Sequence, residues 1–195
     1  MPKKDSRNTR MKIVNAAWAL FYKYGYENTT VEDIVYESAT SRGSFYHYFK
    51  GKDELLYTLA SLFDEKYEQL ENSLGGKDSA YEKLLYLNKE LFIMLENSVP
   101  MDLLARLYSA QLTASGDRNL LDRNRTYYKL LRKIVVEGKE NGEFKDEISV
   151  NEIVRAYAMC ERALISDWCL SNGEFSLSRE SVITLPRLLQ GFLKQ

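Results

Sequence analysis

The chain has 195 residues, 45% hydrophobic and 28% charged, with two cysteines, one histidine and a net charge of −1. That length and balance suit one or two compact domains with a substantial core and exclude a low-complexity or wholly disordered chain. No run of about 18 apolar residues is present to cross a membrane, and the basic start MPKKDSRNTRMK lacks the apolar stretch of a secretion signal, so a soluble cytoplasmic protein with reduced Cys160 and Cys169 is expected.

The charge is unevenly placed. Residues 1–52 hold nine Lys/Arg against five Asp/Glu, a net of +4, and the remainder holds eighteen against twenty-three, a net of −5. The basic end is the candidate nucleic-acid end. Residues 1–8 are polar and lack apolar periodicity, so they read as a flexible basic arm whose Lys3, Lys4 and Arg7 either reach phosphates or touch nothing. From Thr9 the residues Ile13, Ala16, Ala17, Leu20, Phe21 and Tyr24 recur at helical spacing up to Gly25, a natural C-terminal breaker.

A short helix follows, with Val31, Ile34 and Val35 on one face, and either Thr29 or Thr30 caps it, each being followed three residues later by a carboxylate. Ser38, Ala39 and Thr40 interrupt the pattern. Ser41 then caps a second helix over 42–48, with Phe45 and Phe49 four apart on its inner face and Arg42, Ser44, Tyr46 and His47 on its outer face. A helix of this size fits the major groove, where Arg bonds guanine edges in a bidentate way and Ser or Tyr bonds bases or phosphates. Lys50 and Lys52 come next, where the phosphate backbone passes, each able to neutralise a phosphate. The rival for Tyr46, His47 and Tyr48 is packing in a small three-helix core, and for Tyr48 the two readings stand level.

The segments IVNAAWALFYKYGYENTTVEDI and SRGSFYHYFKGKDELL together resemble the N-terminal domain of the tetracycline-repressor (TetR) family of transcriptional regulators, over residues 10–56. The landmarks are Ala16-Ala17, Leu20-Phe21, Gly25-Tyr26, Thr29-Thr30 and the run Phe45-Tyr46-His47-Tyr48-Phe49. The resemblance implies that the second and third helices form a helix-turn-helix. It also implies that Thr30 meets phosphate, that Arg42, Gly43 and Ser44 lie against bases, and that Tyr46, His47, Tyr48 and Lys52 touch backbone or base edges. With Ser41 and Lys50 these make up the expected DNA-binding set. One departure is Ala39, where the family usually has glycine; a turn needing φ > 0 strains it.

Beyond Gly51, an amphipathic helix starts with Asp53 and Glu54 and carries Leu55, Leu56, Leu59, Leu62, Phe63, Tyr67 and Leu70 to the Gly75-Gly76 break. It links the reading head to the C-terminal part of the chain and is the expected lever for regulation. The remaining periodic segments are all helical: over 79–97, from Pro100 onward, over 120–141, 149–171 and 178–193, with Asn172-Gly173 between the last two and Pro186 kinking or dividing the last. The expected architecture is all-α. A three-helix helix-turn-helix domain over 1–52 is joined by a long helix to a helical effector-binding and dimerisation domain over 53–195.

The last two helices carry broad apolar stripes. They suit a two-fold four-helix interface, with Tyr157, Leu164, Ile183, Leu188, Leu189 and Phe192 as interface candidates. A homodimer doubles the DNA read by a single helix-turn-helix, so a pseudo-palindromic operator is the expected partner, and the resemblance points the same way. Aromatic and flexible residues concentrate in the middle helices, and Phe92, Met101, Leu104, Tyr108, Tyr127, Tyr128, Leu131, Met159 and Trp168 are the candidates to line a pocket for a small, largely apolar effector. Plain core packing is the alternative for each. The function expected is a sequence-specific repressor released from its operator by that effector.

Enzymatic function has little to stand on: one histidine without an evident orienting carboxylate, no Gly-rich phosphate loop, no CxxC pair and no Gly-x-Ser-x-Gly elbow. No cofactor or metal is expected, because the two cysteines lack nearby histidine partners. An all-helical protein-binding scaffold is the other alternative, and it leaves the surface from Arg42 to Lys52 unexplained.

Overall fold

The computed structural model describes residues 3–76, 79–113 and 119–194. Its order is α1 (Lys3–Tyr24), α2 (Val31–Glu37), α3 (Arg42–Tyr48), α4 (Lys52–Leu56), α5 (Leu59–Glu71), α6 (Ala80–Ser98), α7 (Met101–Thr113), α8 (Thr126–Glu140), α9 (Val150–Leu170) and α10 (Leu177–Gln190). Among the described residues the only β pairing is an isolated bridge between Phe144 and Leu193. The architecture is therefore all-α. The chain divides into two compact units, 1–61 and 62–195; the boundary expected after Lys52 falls at the start of α4.

In the first unit α1 packs on α2 and α3, and the interior holds Ile13, Ala17 and Phe21 of α1 with Ile34 of α2, Phe45 of α3 and Leu55 and Leu56 of α4. Helix α1 begins at Lys3 rather than Thr9, so residues 3–8 are not the flexible arm expected; Met1 and Pro2 lie outside the described residues. Extending an existing helix adds bonds without a new nucleation cost, and no Gly or Pro stands between Lys3 and Thr9 to stop it.

The linking helix is not continuous. Between α4 and α5 the bonds tighten from the i→i−4 to the i→i−3 pattern: Tyr57 N–H to Glu54 O at 3.3 Å, Thr58 N–H to Leu55 O at 3.0 Å and Ser61 N–H to Thr58 O at 3.0 Å. A side-chain cause is at hand. The Thr58 hydroxyl donates to Leu55 O at 2.6 Å, competing with the helical ladder, and accepts from the Trp18 indole at 2.8 Å.

In the second unit α6 supplies Leu84, Leu87, Leu91, Phe92 and Leu95 to an interior shared with Leu103, Leu104 and Leu107 of α7, Leu131, Ile134 and Val135 of α8, Ile153 and Tyr157 of α9, and Leu185 and Leu189 of α10. Gly138 allows close approach within it: a Cβ there would lie 2.5 Å from the Phe144 ring and 2.6 Å from Ala80 Cβ. The helix expected from Leu120 starts only at Thr126, after a 3₁₀ turn over Asn119–Leu121. Asn124 N–H bonds the Asp122 carboxylate at 2.9 Å, a side-chain turn that competes with helix. Pro186 lies inside α10 without dividing it.

Candidate functional site

Two places carry functional chemistry, one in each unit. In the first, Thr30 is the cap of α2. Its hydroxyl accepts from Asp33 N–H at 3.1 Å, and the Asp33 carboxylate accepts from Thr30 N–H at 2.8 Å. These bonds, the Thr30 hydroxyl first, hold the Asp33 carboxyl below its ordinary value. Thr29 is instead buried, its hydroxyl donating to Gly25 O at 2.9 Å.

The turn after α2 closes as a Schellman motif, with Ala39 N–H on Tyr36 O at 3.1 Å and Thr40 N–H on Val35 O at 3.2 Å. That geometry needs a left-handed residue, and Ala39 supplies it at φ +49. Ser41 then caps α3, its hydroxyl accepting from Ser44 N–H at 3.0 Å. Phe45 and Phe49 turn inward and are buried. Arg42, Gly43, Tyr46 and His47 are exposed, with Ser44 and Tyr48 half-buried beside them. The Arg42 guanidinium leans on Glu32 at 3.2 Å and lies 5.9 Å from the Tyr46 ring centre, a weak tether in open solvent.

The two lysines differ. Lys50 stands out in solvent with its side chain 94% exposed. Lys52 turns back into the unit, donating to Tyr26 O at 2.7 Å and Thr29 O at 2.9 Å and sitting 4.1 Å from the Tyr26 ring centre. Its ammonium ties the α1–α2 connection to the start of α4, a use that its spacing from α3 did not reveal.

In the second unit a cavity of about 40 Å³ is walled by Phe63 and Tyr67 of α5, Leu91 of α6, Tyr108 of α7, Tyr127 of α8, and Glu161 and Ile165 of α9. Glu161 is only 3% exposed. It accepts from Asn88 at 2.8 Å and from the Tyr127 hydroxyl at 2.6 Å, with the Tyr67 hydroxyl at 3.5 Å. Burial pushes its carboxyl above the ordinary range even though these donors pull the other way. The same burial, reinforced by the neighbouring Glu161 charge, raises the Tyr67, Tyr108 and Tyr127 hydroxyls. Beside them Arg125 is neutralised by Asp64, through contacts of 2.9 and 3.2 Å.

Past Tyr108, Leu120 and Arg162 the cavity adjoins an apolar groove of about 410 Å³ with Leu112, Leu121 and Ala163 on its walls. That groove meets, at Leu121 and Arg162, a second groove of about 360 Å³ bearing Arg123, Arg132, Arg155 and Arg162 with no acidic residue among its walls.

Of the residues expected to line a pocket, Tyr108 and Tyr127 do so, while Tyr128 and Met159 line the arginine groove. Phe92, Leu104 and Leu131 are interior packing, Trp168 is buried with its indole on Phe175 O at 3.0 Å, and Met101 packs over Gly173. Glu161, Arg125, Arg162 and Tyr67 were not anticipated as wall residues.

The interface candidates also split. Tyr157 and Leu189 are fully buried within this chain, Tyr157 with its hydroxyl on Leu84 O at 2.9 Å, and Leu164 is nearly so. These three fill the interior because they sit on the inward stripes of α9 and α10. Leu188 and Phe192 are half-buried. The apolar residues that face outward are Ile183 together with Met159, Leu170 and Val182.

A capped α2, a tight left-handed turn and a short α3 with a free outward face are the parts of a helix-turn-helix, here on a chain whose second unit is a helical bundle with a cavity. That defines the class: a two-unit, all-helical DNA-binding transcriptional regulator. The profile of the bacterial regulatory proteins, tetR family, matches residues 13–58, and that of the YsiA-like protein, C-terminal region, matches 61–191. The chain belongs to the tetR family. It is 25% identical to the fatty acid metabolism regulator protein of Bacillus subtilis (strain 168) over 192 residues, 96% of this chain and 97% of that one. The structure of the transcriptional regulator FadR from Bacillus subtilis in complex with stearoyl-CoA is similar at TM-score 0.70 and 26% identity, covering 94% of this chain and 99% of that chain. Thermus thermophilus FadR, a TetR family repressor in complex with lauroyl-CoA, shares the fold at TM-score 0.80 and 23% identity over 95% and 96% of the two chains. Among the described residues no helix is long and apolar enough to cross a membrane.

Proposed function

We propose that this regulator is a homodimeric repressor whose grip on a pseudo-palindromic operator is released by a fatty acyl thioester with a polyanionic head, of the acyl-CoA type. The observation that carries the effector reading is the junction of two grooves in the second unit. One is apolar, with Leu112, Leu121 and Ala163, and the other presents four arginines without a carboxylate, in a part of the chain whose net charge is −5. An apolar chain in the first and phosphates on the guanidiniums of the second suit one amphipathic molecule. The stearoyl-CoA held by the Bacillus subtilis relative supports the same chemistry.

On the DNA side, Arg42, Gly43, Ser44, Tyr46 and His47 form the reading face, with Lys50 and the Thr30 end of α2 on phosphates. Tyr48, half-buried, is at the rim of that face. The exposed Leu170, Val182 and Ile183 suit a two-fold partner copy. The effector acts by binding more tightly to the dimer form that does not fit the operator.

The test is binding of the purified chain to a duplex from its own upstream region, across a salt series and with mass recorded, then titration with palmitoyl-CoA and with free CoA. The reading expects a dimer whose affinity falls steeply with salt and which palmitoyl-CoA, not CoA alone, displaces. Salt-insensitive or absent binding on genomic DNA overturns the DNA part. Undiminished binding at saturating acyl-CoA of every length overturns the effector part.

A further inference from the structure

The inner cavity has a buried carboxyl in its wall. Glu161, bonded by Asn88 and by Tyr127, supplies that carboxyl, and Tyr108, Leu120 and Arg162 are shared with the apolar groove. At about 40 Å³ the cavity has room for a few waters and not for a chain to run past the carboxyl. Among the described residues Glu161 makes no ion pair; its direct partners are hydroxyl and amide donors, and the Arg162 charge acts on it only from a distance. Tyr108 stands between groove and cavity.

Resting on the acyl-thioester reading above, we propose that Glu161 is the end stop of the acyl site, a specificity-determining residue that limits the effector to chains whose terminal methyl stops at Tyr108. Each methylene moved from water into the apolar groove strengthens binding about fourfold, the factor equivalent to about 0.8 kcal/mol. The first methylene to pass Tyr108 enters a space where, beside the carbon of Phe63, Leu91 and Ile165, it must press on the buried Glu161 carboxyl and the two phenol hydroxyls bonded to it. Whether Glu161 is ionised or protonated, that contact replaces polar partners with an alkyl group, and the fourfold increment disappears. The raised carboxyl of Glu161, caused first by burial, agrees with a site already short of solvation.

The test is the dissociation constant of saturated acyl-CoAs from butyryl to stearoyl, by calorimetry at fixed salt, for wild type, Glu161→Gln and Glu161→Met. Wild type should climb about fourfold per methylene and then level or reverse at one chain length. Glu161→Gln, still polar, should break at the same length, and Glu161→Met should keep climbing past it. A purely structural role for Glu161 would shift all affinities together and leave the break where it was. A second measurement needs only the wild type: beyond the break, an ω-hydroxyacyl-CoA should bind at least tenfold tighter than the plain chain of equal length, because its hydroxyl can bond the carboxyl. A wild-type climb with no break, a Glu161→Met break at the wild-type length, or an ω-hydroxyl without benefit each overturns the end stop while leaving the acyl reading standing. Absence of binding at every length overturns both.

Discussion

Replacing Ala39 with glycine should stabilise this protein. Ala39 is exposed and sits at φ +49, the left-handed position of the Schellman turn between α2 and α3. An L-residue pays about 1–2 kcal/mol for that conformation. Glycine escapes the penalty but loses more freedom on folding, about 0.4–1 kcal/mol. No buried contact is given up, so the balance is a gain of about 0.5–1 kcal/mol, or about 2 °C in melting temperature for a chain of this length. The measurement is urea unfolding of the full chain followed by circular dichroism, with thermal melts at matched protein concentration. Operator affinity should stay within about threefold, because glycine keeps the turn that aims α3. A loss of stability in Ala39→Gly would refute the reasoning, since it would mean that the left-handed alanine costs less than the chain entropy it saves.

Gly138→Ala should destabilise by about 1–3 kcal/mol, the usual cost of overpacking, because the added methyl falls 2.5 Å from the Phe144 ring and 2.6 Å from Ala80 Cβ; urea midpoints check it. Arg42→Ala should weaken operator binding by about 1–3 kcal/mol while sparing stability, since its ion pair with Glu32 is solvent-exposed. Lys52→Met should do the reverse, losing stability through the freed Tyr26 and Thr29 carbonyls and leaving the salt dependence of DNA binding unchanged, whereas Lys50→Gln should lower that slope by about one. Glu161→Gln should be more stable than wild type by a margin that widens with pH. The folded carboxyl is raised above its ordinary 4.5, so its contribution is complete below that value and lost as pH rises through the folded one. Asp33 and Glu152 titrate in the opposite sense, their stability present above the ordinary carboxylate value and lost on acidification, but they cancel in the comparison.

The reading head was legible because its signals are local. Thr30 with Asp33, Ser41 with Ser44 and the Phe45–Phe49 pair are all within four residues of one another, and the departure at Ala39 announced the strained turn. The bonds of Lys52 were not legible for the opposite reason: its acceptors lie 23 and 26 residues earlier in the chain, and spacing cannot reveal them. In the second unit, helical periodicity told core from surface only to within a face, so Tyr157 and Leu189 passed for interface residues although they point inward. The cavity had one signal that went unused. Glu161 falls on the apolar stripe of Tyr157, Leu164 and Trp168, and a carboxylate on the buried stripe of a helix marks either a hydrogen-bonded network or a ligand.

An effector in the second unit can reach the reading head only through covalent continuity or shared contacts, and α5 is the covalent path. Phe63 and Tyr67 stand on it in the cavity wall, and Asp64 between them holds Arg125 and the N–H of Tyr127. Toward its N-terminus α5 passes into the tight turn at residues 57–58, where the Thr58 hydroxyl is fixed by the Trp18 indole of α1. The Thr58–Trp18 bond lies within the first unit at the start of α5, and it is the expected point at which a displacement carried along α5 reaches the reading head. Thr58→Val keeps the shape and removes the pin, leaving the indole N–H without its acceptor at a stability cost of about 1–3 kcal/mol. The effector's dissociation constant from the free protein should stay near wild type, since Thr58 is not a cavity residue. The factor by which saturating effector weakens operator binding should fall severalfold, and the same fall must appear when the effector is titrated in the presence of operator, because the coupling is reciprocal. If Thr58→Val loses stability and keeps the full coupling factor, the signal does not pass through this turn, and contacts other than α5 carry it.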